Sequence, residues 1–275
     1  KTTFLTYALS AVAFLLLSFN DVNPINFMVK VEGGTFNMGS KDSDKSADND
    51  EQTEHKVTVK DFELCKFEVT VWQWKAFVKA NKLKMPVEPT WGWKDNYPMN
   101  NITWEEVISY CNWLSKKEKL QPVYSKQGPN YVCNFKANGY RLPTEAEWEF
   151  AAKGGVKSKA YKFSGGNEAN EVAWHKAISK NSPHTVGTKL PNELGLYDMS
   201  GNVLEWCYDF YGPYPDDNLT RIDPIGPIRG SYRIARGGSF VRTAHDSRSA
   251  ARFSYEASYR GSEIGFRYVL GLPLR

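Results

Sequence analysis

Asp198, Asn202 and Glu205 place three oxygen-bearing side chains within eight positions, in the stretch Asn192 to Trp206. Gly195 and Gly201 permit backbone angles closed to other residues. Leu194, Leu196, Tyr197, Val203, Leu204 and Trp206 surround the polar groups with apolar surface. A carboxylate in such a setting needs a partner. A hard cation bound by side-chain and carbonyl oxygens is one answer; a turn cap or an arginine is another. A second acidic run, Ser40 to Glu54, carries Asp42, Asp44, Asp48, Asp50, Glu51 and Glu54. It only loosely follows a calcium loop: Ala47 stands where the sharp-turn glycine belongs, and Thr53 stands at the closing glutamate. A solvated loop is expected there.

The other reactive residue types are scattered. Cys65, Cys111, Cys133 and Cys207 include no CxxC pair, so a zinc knuckle or a thioredoxin-like centre has no support. Two disulfides and four buried thiols are both open. His55, His175, His184 and His245 include no close-spaced pair. His245 beside Asp246 invites a serine–histidine–acid reading with Ser239 or Ser247, but there is no nucleophile elbow. Ser239 follows two glycines and is expected to be structural.

These residues must be positioned by short elements. The chain has 275 residues, is 41% hydrophobic and 14% aromatic, and carries a net charge of +4 with no basic run, which excludes a nucleic-acid footprint. Lys1 and the apolar run Phe4 to Phe19 read as a secretory signal or a retained anchor over residues 1–22, which puts the body outside the cytoplasm. Residues 23–275 show no repeat and no linker, and read as one domain. Residues 25–39 suggest a hairpin turning at Gly33-Gly34. His55 to Thr70 alternates as strands, and Val71 to Asn81 has helical spacing. Capping boxes at Thr103-Glu106 and Thr144-Glu147 open two more helices. Arg141 is placed to pair with a carboxylate of the second of these. Gln121 to Phe135 and Cys207 to Pro227 read as irregular. Arg233 to Phe240 reads as strand and turn, Arg252 leads into a loop, and Ile264 to Val269 closes the chain as a strand.

Five stretches in order resemble the formylglycine-generating enzyme, or sulfatase-modifying-factor, family. They are Gly33 to Gly39, Glu68-Val69-Thr70, Gly139 to Glu149 with its Arg-Leu-Pro-Thr-Glu-Ala-Glu-Trp-Glu, Gly195 to Trp206, and Arg236 to Phe240 with Gly265-Phe266-Arg267. The resemblance implies an α+β, loop-rich single domain related to the C-type lectin fold, low in regular secondary structure and holding structural calcium. By position, one calcium site falls on the side chains of Asp198 and Glu205 and the carbonyls of Gly201 and Val203. The other begins near Asn170 and Glu171.

The same resemblance implies what is missing. The family's oxidases turn a sulfatase cysteine into formylglycine with a copper-binding cysteine pair, which suits Cu(I). The pair lies between Gly-Gly-Ser and Ala-Ala-Arg. Here that segment, Val241 to Ser249, contains no cysteine, and Leu204 replaces a tryptophan near the family's site. Relatives that form sulfur–carbon bonds use iron-binding histidines from a further domain, which this chain does not supply. Copper is therefore not expected. Ser239, Arg242, His245 and Arg252 would line whatever cleft remains. The expected function is an exported binding or accessory component of a bacterial envelope or secretion system, periplasmic, cell-surface or secreted. Its partner would be a protein or glycan, met through aromatic loops at Trp91, Trp93, Tyr208, Tyr211 and Tyr214 unless those rings are the fold's own packing. The alternative is an oxidase or other metal-dependent modifying enzyme of the same family.

Overall fold

The computed structural model describes residues 27–271 apart from positions 42 and 129. The expected signal or anchor in residues 1–22 lies outside the described residues. The chain opens with four strands, β1 (Met28–Val31), β2 (Gly34–Met38), β3 (His55–Val59) and β4 (Phe62–Cys65). Gly33-Gly34 is not a hairpin turn. β1 pairs with β4 and β2 with β3, in one continuous antiparallel register from Met28↔Cys65 to Met38↔His55. The two glycines bend a long ribbon so that its halves join different sheets. The bend is close: the Gly33 N–H donates to Asp61 Oδ1, and a Cβ on Gly33 would lie 2.5 Å from the Val59 carbonyl oxygen. A Gly-Gly pair serves a turn or a bend equally well, and only the distant partner strand decides between them.

Helices α1 (Val71–Ala80) and α2 (Trp104–Lys117) follow, each opened by a threonine capping box, at Thr70 and Thr103. The expected irregular region 121–135 instead holds a hairpin, β5 (Tyr124–Gln127) with β6 (Asn130–Cys133). Its polar outer residues hide the strand pattern. After β7 (Tyr140–Arg141), Thr144 caps α3 (Glu145–Ala152) with Glu147. A single turn, α4 (Ala169–Val172), precedes β8 (Leu204–Phe210), a strand where a loop was expected beyond Cys207. Then come β9 (Arg221–Ile222), β10 (Tyr232–Arg236), β11 (Arg252–Glu256), β12 (Ile264–Gly265) and β13 (Val269–Leu270). Helix accounts for 18% and strand for 23%, so side-chain contacts must hold most of the backbone in place. Among the described residues no helix is long and apolar enough to cross a membrane.

The sheets run β1-β4-β13-β7, β11-β10-β8-β12 and β2-β3-β9. β8 is an inner strand, antiparallel to β10 and parallel to β12. It has no alternation because both of its faces are buried. Leu204 and Trp206 enter a core with α1 and α2, and Cys207 enters a second core with Trp148 of α3. The expected closing strand is split: β12 belongs to the β8 sheet and β13 to the β4 sheet. Arg267 lies in the step between them and is fully buried.

Candidate functional site

β8 carries Glu205 into the interior with 0% of its surface exposed. Its partner is Arg267. The guanidinium grips the carboxylate with two hydrogen bonds, Nη2 to Oε1 at 2.6 Å and Nε to Oε2 at 2.7 Å. The Trp148 indole N–H donates to Oε2 at 2.7 Å. Such fork-to-fork pairs are strong and directional. Burial works against the Arg267 charge, and Glu205 more than offsets it, so the guanidinium's pKa is raised.

Asp198 sits one turn away in a left-handed backbone conformation, φ 57°. Its Oδ2 accepts the Gly187 N–H at 2.6 Å, but its Oδ1 is buried with no hydrogen-bond partner among the described residues. Burial pushes the Asp198 carboxyl up to about 6. Glu68, from the segment before α1, joins from the other side. Its carboxylate accepts the Asn202 side-chain amide at 2.6 Å and the Val203 N–H at 3.0 Å. Burial, then the Asp198 and Glu205 charges, hold Glu68 well above the usual carboxylate range. Three buried carboxylates thus face one buried guanidinium. Coulomb repulsion in a low-dielectric setting disfavours this arrangement unless protons or a cation intervene.

The residues present fit a hard cation at one point, the orphaned Asp198 oxygen in the turn that also carries the Gly201 and Val203 carbonyls. Among the described residues no three His, Cys, Asp or Glu side chains gather as a metal-holding group. Glu205, expected as a charged ligand, already answers Arg267 and Trp148. Calcium would therefore rest mainly on Asp198, carbonyl oxygens and water.

Asn170 and Glu171 lie in α4 and are engaged otherwise. Asn170 Oδ1 meets His175 Nε2 at 2.8 Å, and the Lys189 ammonium donates to the Asn170 carbonyl. The Glu171 carbonyl accepts the Leu190 N–H at 3.1 Å. Lys189 also lies over the Trp174 ring, 4.1 Å from its centroid.

The segment from Arg236 to Arg252 is packed with its own side chains. Fully buried Arg236 pairs with Glu149 of α3 and donates to the Ala250 and Ala251 carbonyls. Arg252 forks onto Glu145 at 2.6 and 2.9 Å, and Arg248 onto Glu51 at 2.5 and 2.6 Å. Arg242 donates to the Tyr255 hydroxyl and Glu263, and its guanidinium lies 4.5 Å from the centre of the Phe253 ring. The Trp91 ring stands edge-on to Phe240 at 5.2 Å. Ser239 is fully buried, and among the described residues its hydroxyl has no hydrogen-bond partner. His245 is exposed, and its Nε2–H donates to the Ser46 carbonyl at 2.7 Å. Of the four residues expected to line a cleft, Arg242, His245 and Arg252 therefore hold three different sets of partners, and the Ser239 hydroxyl holds none among the described residues. The acidic run expected to be a free loop is tied down by Arg248 through Glu51.

The cysteines lie apart from this segment. Cys65, Cys111, Cys133 and Cys207 are all free thiols, and burial pushes each of them up, Cys133 to about 12. The aromatic loops pack inward. Tyr208 stacks on Tyr124 and meets Trp104, and Tyr211 and Tyr214 lie against the Arg252 guanidinium. Arg141 pairs with Glu147 of α3 through both carboxylate oxygens, as its position suggested.

Glu68, Trp148, Lys189 and Arg267 are the participants that sequence reasoning missed. A glutamate and an arginine inside apolar segments, each needing a partner, were the available signal.

The chain matches the model of the sulfatase-modifying factor enzyme 1-like domain over residues 14–272. It is 34% identical to a protein named chaperone protein LppX from Paenibacillus barcinonensis, with 88% of each chain covered. It is 28% identical to the formylglycine-generating enzyme of Thermomonospora curvata, over 87% of this chain and 92% of that one. It is also 28% identical to the inactive Cα-formylglycine-generating enzyme 2 of Bos taurus, over 89% and 88%. Among solved structures, a Treponema denticola variable protein superimposes with a TM-score of 0.75 at 31% identity, covering 89% of this chain and 95% of that one. The matched length and the shared fold show that this chain is a member of the formylglycine-generating enzyme, or sulfatase-modifying-factor, family.

Proposed function

We propose that this protein keeps the family's scaffold without its copper oxidation, and acts as an exported binding or accessory component of a bacterial envelope or secretion system. One observation carries the reading. The segment between Ser239 and Ala250 holds no thiol, and its Arg242, Arg248 and Phe240 are engaged by Glu263, Glu51 and Trp91. A Cu(I) site needs soft thiolates, and all four thiols here are pushed up by burial and lie on other elements. The relatives named as a chaperone and as inactive support a non-catalytic role. Structural calcium at Asp198 completes the proposal. Its charge would neutralise the excess of buried carboxylate and pin the Asp198 to Val203 turn.

The test is metal content and turnover. Purified protein is analysed for copper, iron and calcium, then given Cu(I), oxygen and a cysteine-containing sulfatase peptide. Calcium alone, with no aldehyde formed, is the expected outcome. Bound copper with peptide turnover would overturn the reading and favour the oxidase.

A further inference from the structure

A cavity of about 340 Å³ opens between the N-terminus of α3, the end of β8 and the loop 212–227. It is lined by Pro213, Pro224, Ile225 and Pro227 with Arg221 among them, and by the charged or titratable His55, Arg252, Asp209 and Glu145. The charges there are unequally matched. Glu145 is gripped by Arg252, and Arg221 is held by Asp217. Asp209 is 3% exposed and accepts the Glu145 backbone N–H at 2.8 Å, and among the described residues it forms no ion pair, although the Arg233 charge acts on it from further away. Burial, and then the Glu145 charge, hold its carboxyl well above the usual range, as befits a buried acid outside any ion pair.

The surface around this cavity is unusual too. Leu219, Ile222, Ile225 and Ile228 are all exposed within ten residues, Ile222 by 70% and Ile228 by 91%. Exposed apolar side chains on the chain segment that borders a concave site, with a buried acid outside any ion pair within it, resemble the anatomy of a protein interface centre. A long basic side chain suits it, since the alkyl stem packs on the prolines while the head reaches the acid.

We propose that this face docks a protein segment presenting one lysine or arginine among apolar residues, the basic side chain entering the cavity to pair with Asp209 and its neighbours covering Ile222, Ile225 and Ile228. The proposal rests on the reading of this chain as a binding component. Metal content and peptide oxidation test that reading without this surface, so the two can fail separately.

The probes are a capped Leu-Ile-Lys-Ile-Leu peptide, the same peptide with norleucine for lysine, and phosphatidylcholine vesicles, each titrated calorimetrically into the full chain. The lysine peptide is expected to bind at least about tenfold more tightly than the norleucine peptide, the scale of a buried anchor residue. Asp209→Asn keeps an acceptor for the Glu145 N–H and should lose that preference. Ile228→Asp, at an exposed position, should weaken the lysine peptide by a similar factor. Leu83→Asp, on an exposed residue of the loop after α1, should change nothing. Equal binding of the two peptides, no binding of the lysine peptide, or an unchanged Asp209→Asn variant would overturn the proposal. Vesicle binding lost in Ile228→Asp but kept in Asp209→Asn would assign the surface to a membrane instead. If Asp209→Asn does not fold, the peptide pair and Ile228→Asp still decide.

Discussion

Replacing Asp198 with asparagine separates an orphaned charge from a cation ligand. In the folded protein burial raises the Asp198 carboxyl from 3.8 to about 6. That is a shift of about two units, worth roughly 3 kcal/mol at about 1.4 kcal/mol per unit. The sign follows from linkage. Between 3.8 and about 6 the native state holds more protons than the unfolded chain, so stability falls as pH rises through that window. The substituted asparagine would not titrate, would still accept the Gly187 N–H, and tolerates the φ of 57° found there. In chelator, urea unfolding should therefore show Asp198→Asn more stable than the parent at pH 7.5, by up to about 3 kcal/mol, with the two equal near pH 3. Calcium at about a thousand times its Kd should reverse the order, because it then adds about 4.1 kcal/mol to the parent alone. Two results would refute the reasoning. If the variant is the weaker protein in chelator at every pH, the unpaired oxygen carries no cost. If calcium stabilises both proteins equally, the ion sits elsewhere.

Other outcomes follow from neighbouring contacts. Glu205→Gln leaves Arg267 buried without its counter-charge and should cost about 3–5 kcal/mol in denaturant unfolding; a loss under about 1 kcal/mol would mean that the pair is relieved by water. Gly201→Ala places a Cβ 2.5 Å from the Trp174 carbonyl oxygen at φ 80°, whereas Gly195→Ala has the same φ and nothing within 4 Å. The first should lower stability by well over the roughly 1 kcal/mol of left-handed strain expected of the second. Because burial pushes up all four thiols, an aromatic disulfide reagent at pH 8 should label none of them in the absence of denaturant, and all of them once the chain unfolds.

Local chemistry determined a good part of this protein. The threonine boxes at Thr103 and Thr144 start helices where they stand, because a cap needs only residues three positions apart. The order of Gly-rich and Arg-Leu-Pro-Thr motifs identified the scaffold. The absence of cysteine from Val241 to Ser249 was plain from the letters. Tertiary structure decided the rest, because the deciding partners are far apart in the chain. Gly33-Gly34 became a bend rather than a turn once β1 found β4 and β2 found β3. β8 became a strand because two cores, from α1 and α2 on one side and α3 on the other, cover both its faces. Above all, the carboxylates of the Asn192 to Trp206 stretch looked alike in sequence and ended in different states. Glu205 is satisfied by Arg267, 62 residues away, while Asp198 keeps one buried oxygen without a partner among the described residues. A charge's need for a partner is visible in its residue type, but which charge finds one depends on which strands lie side by side.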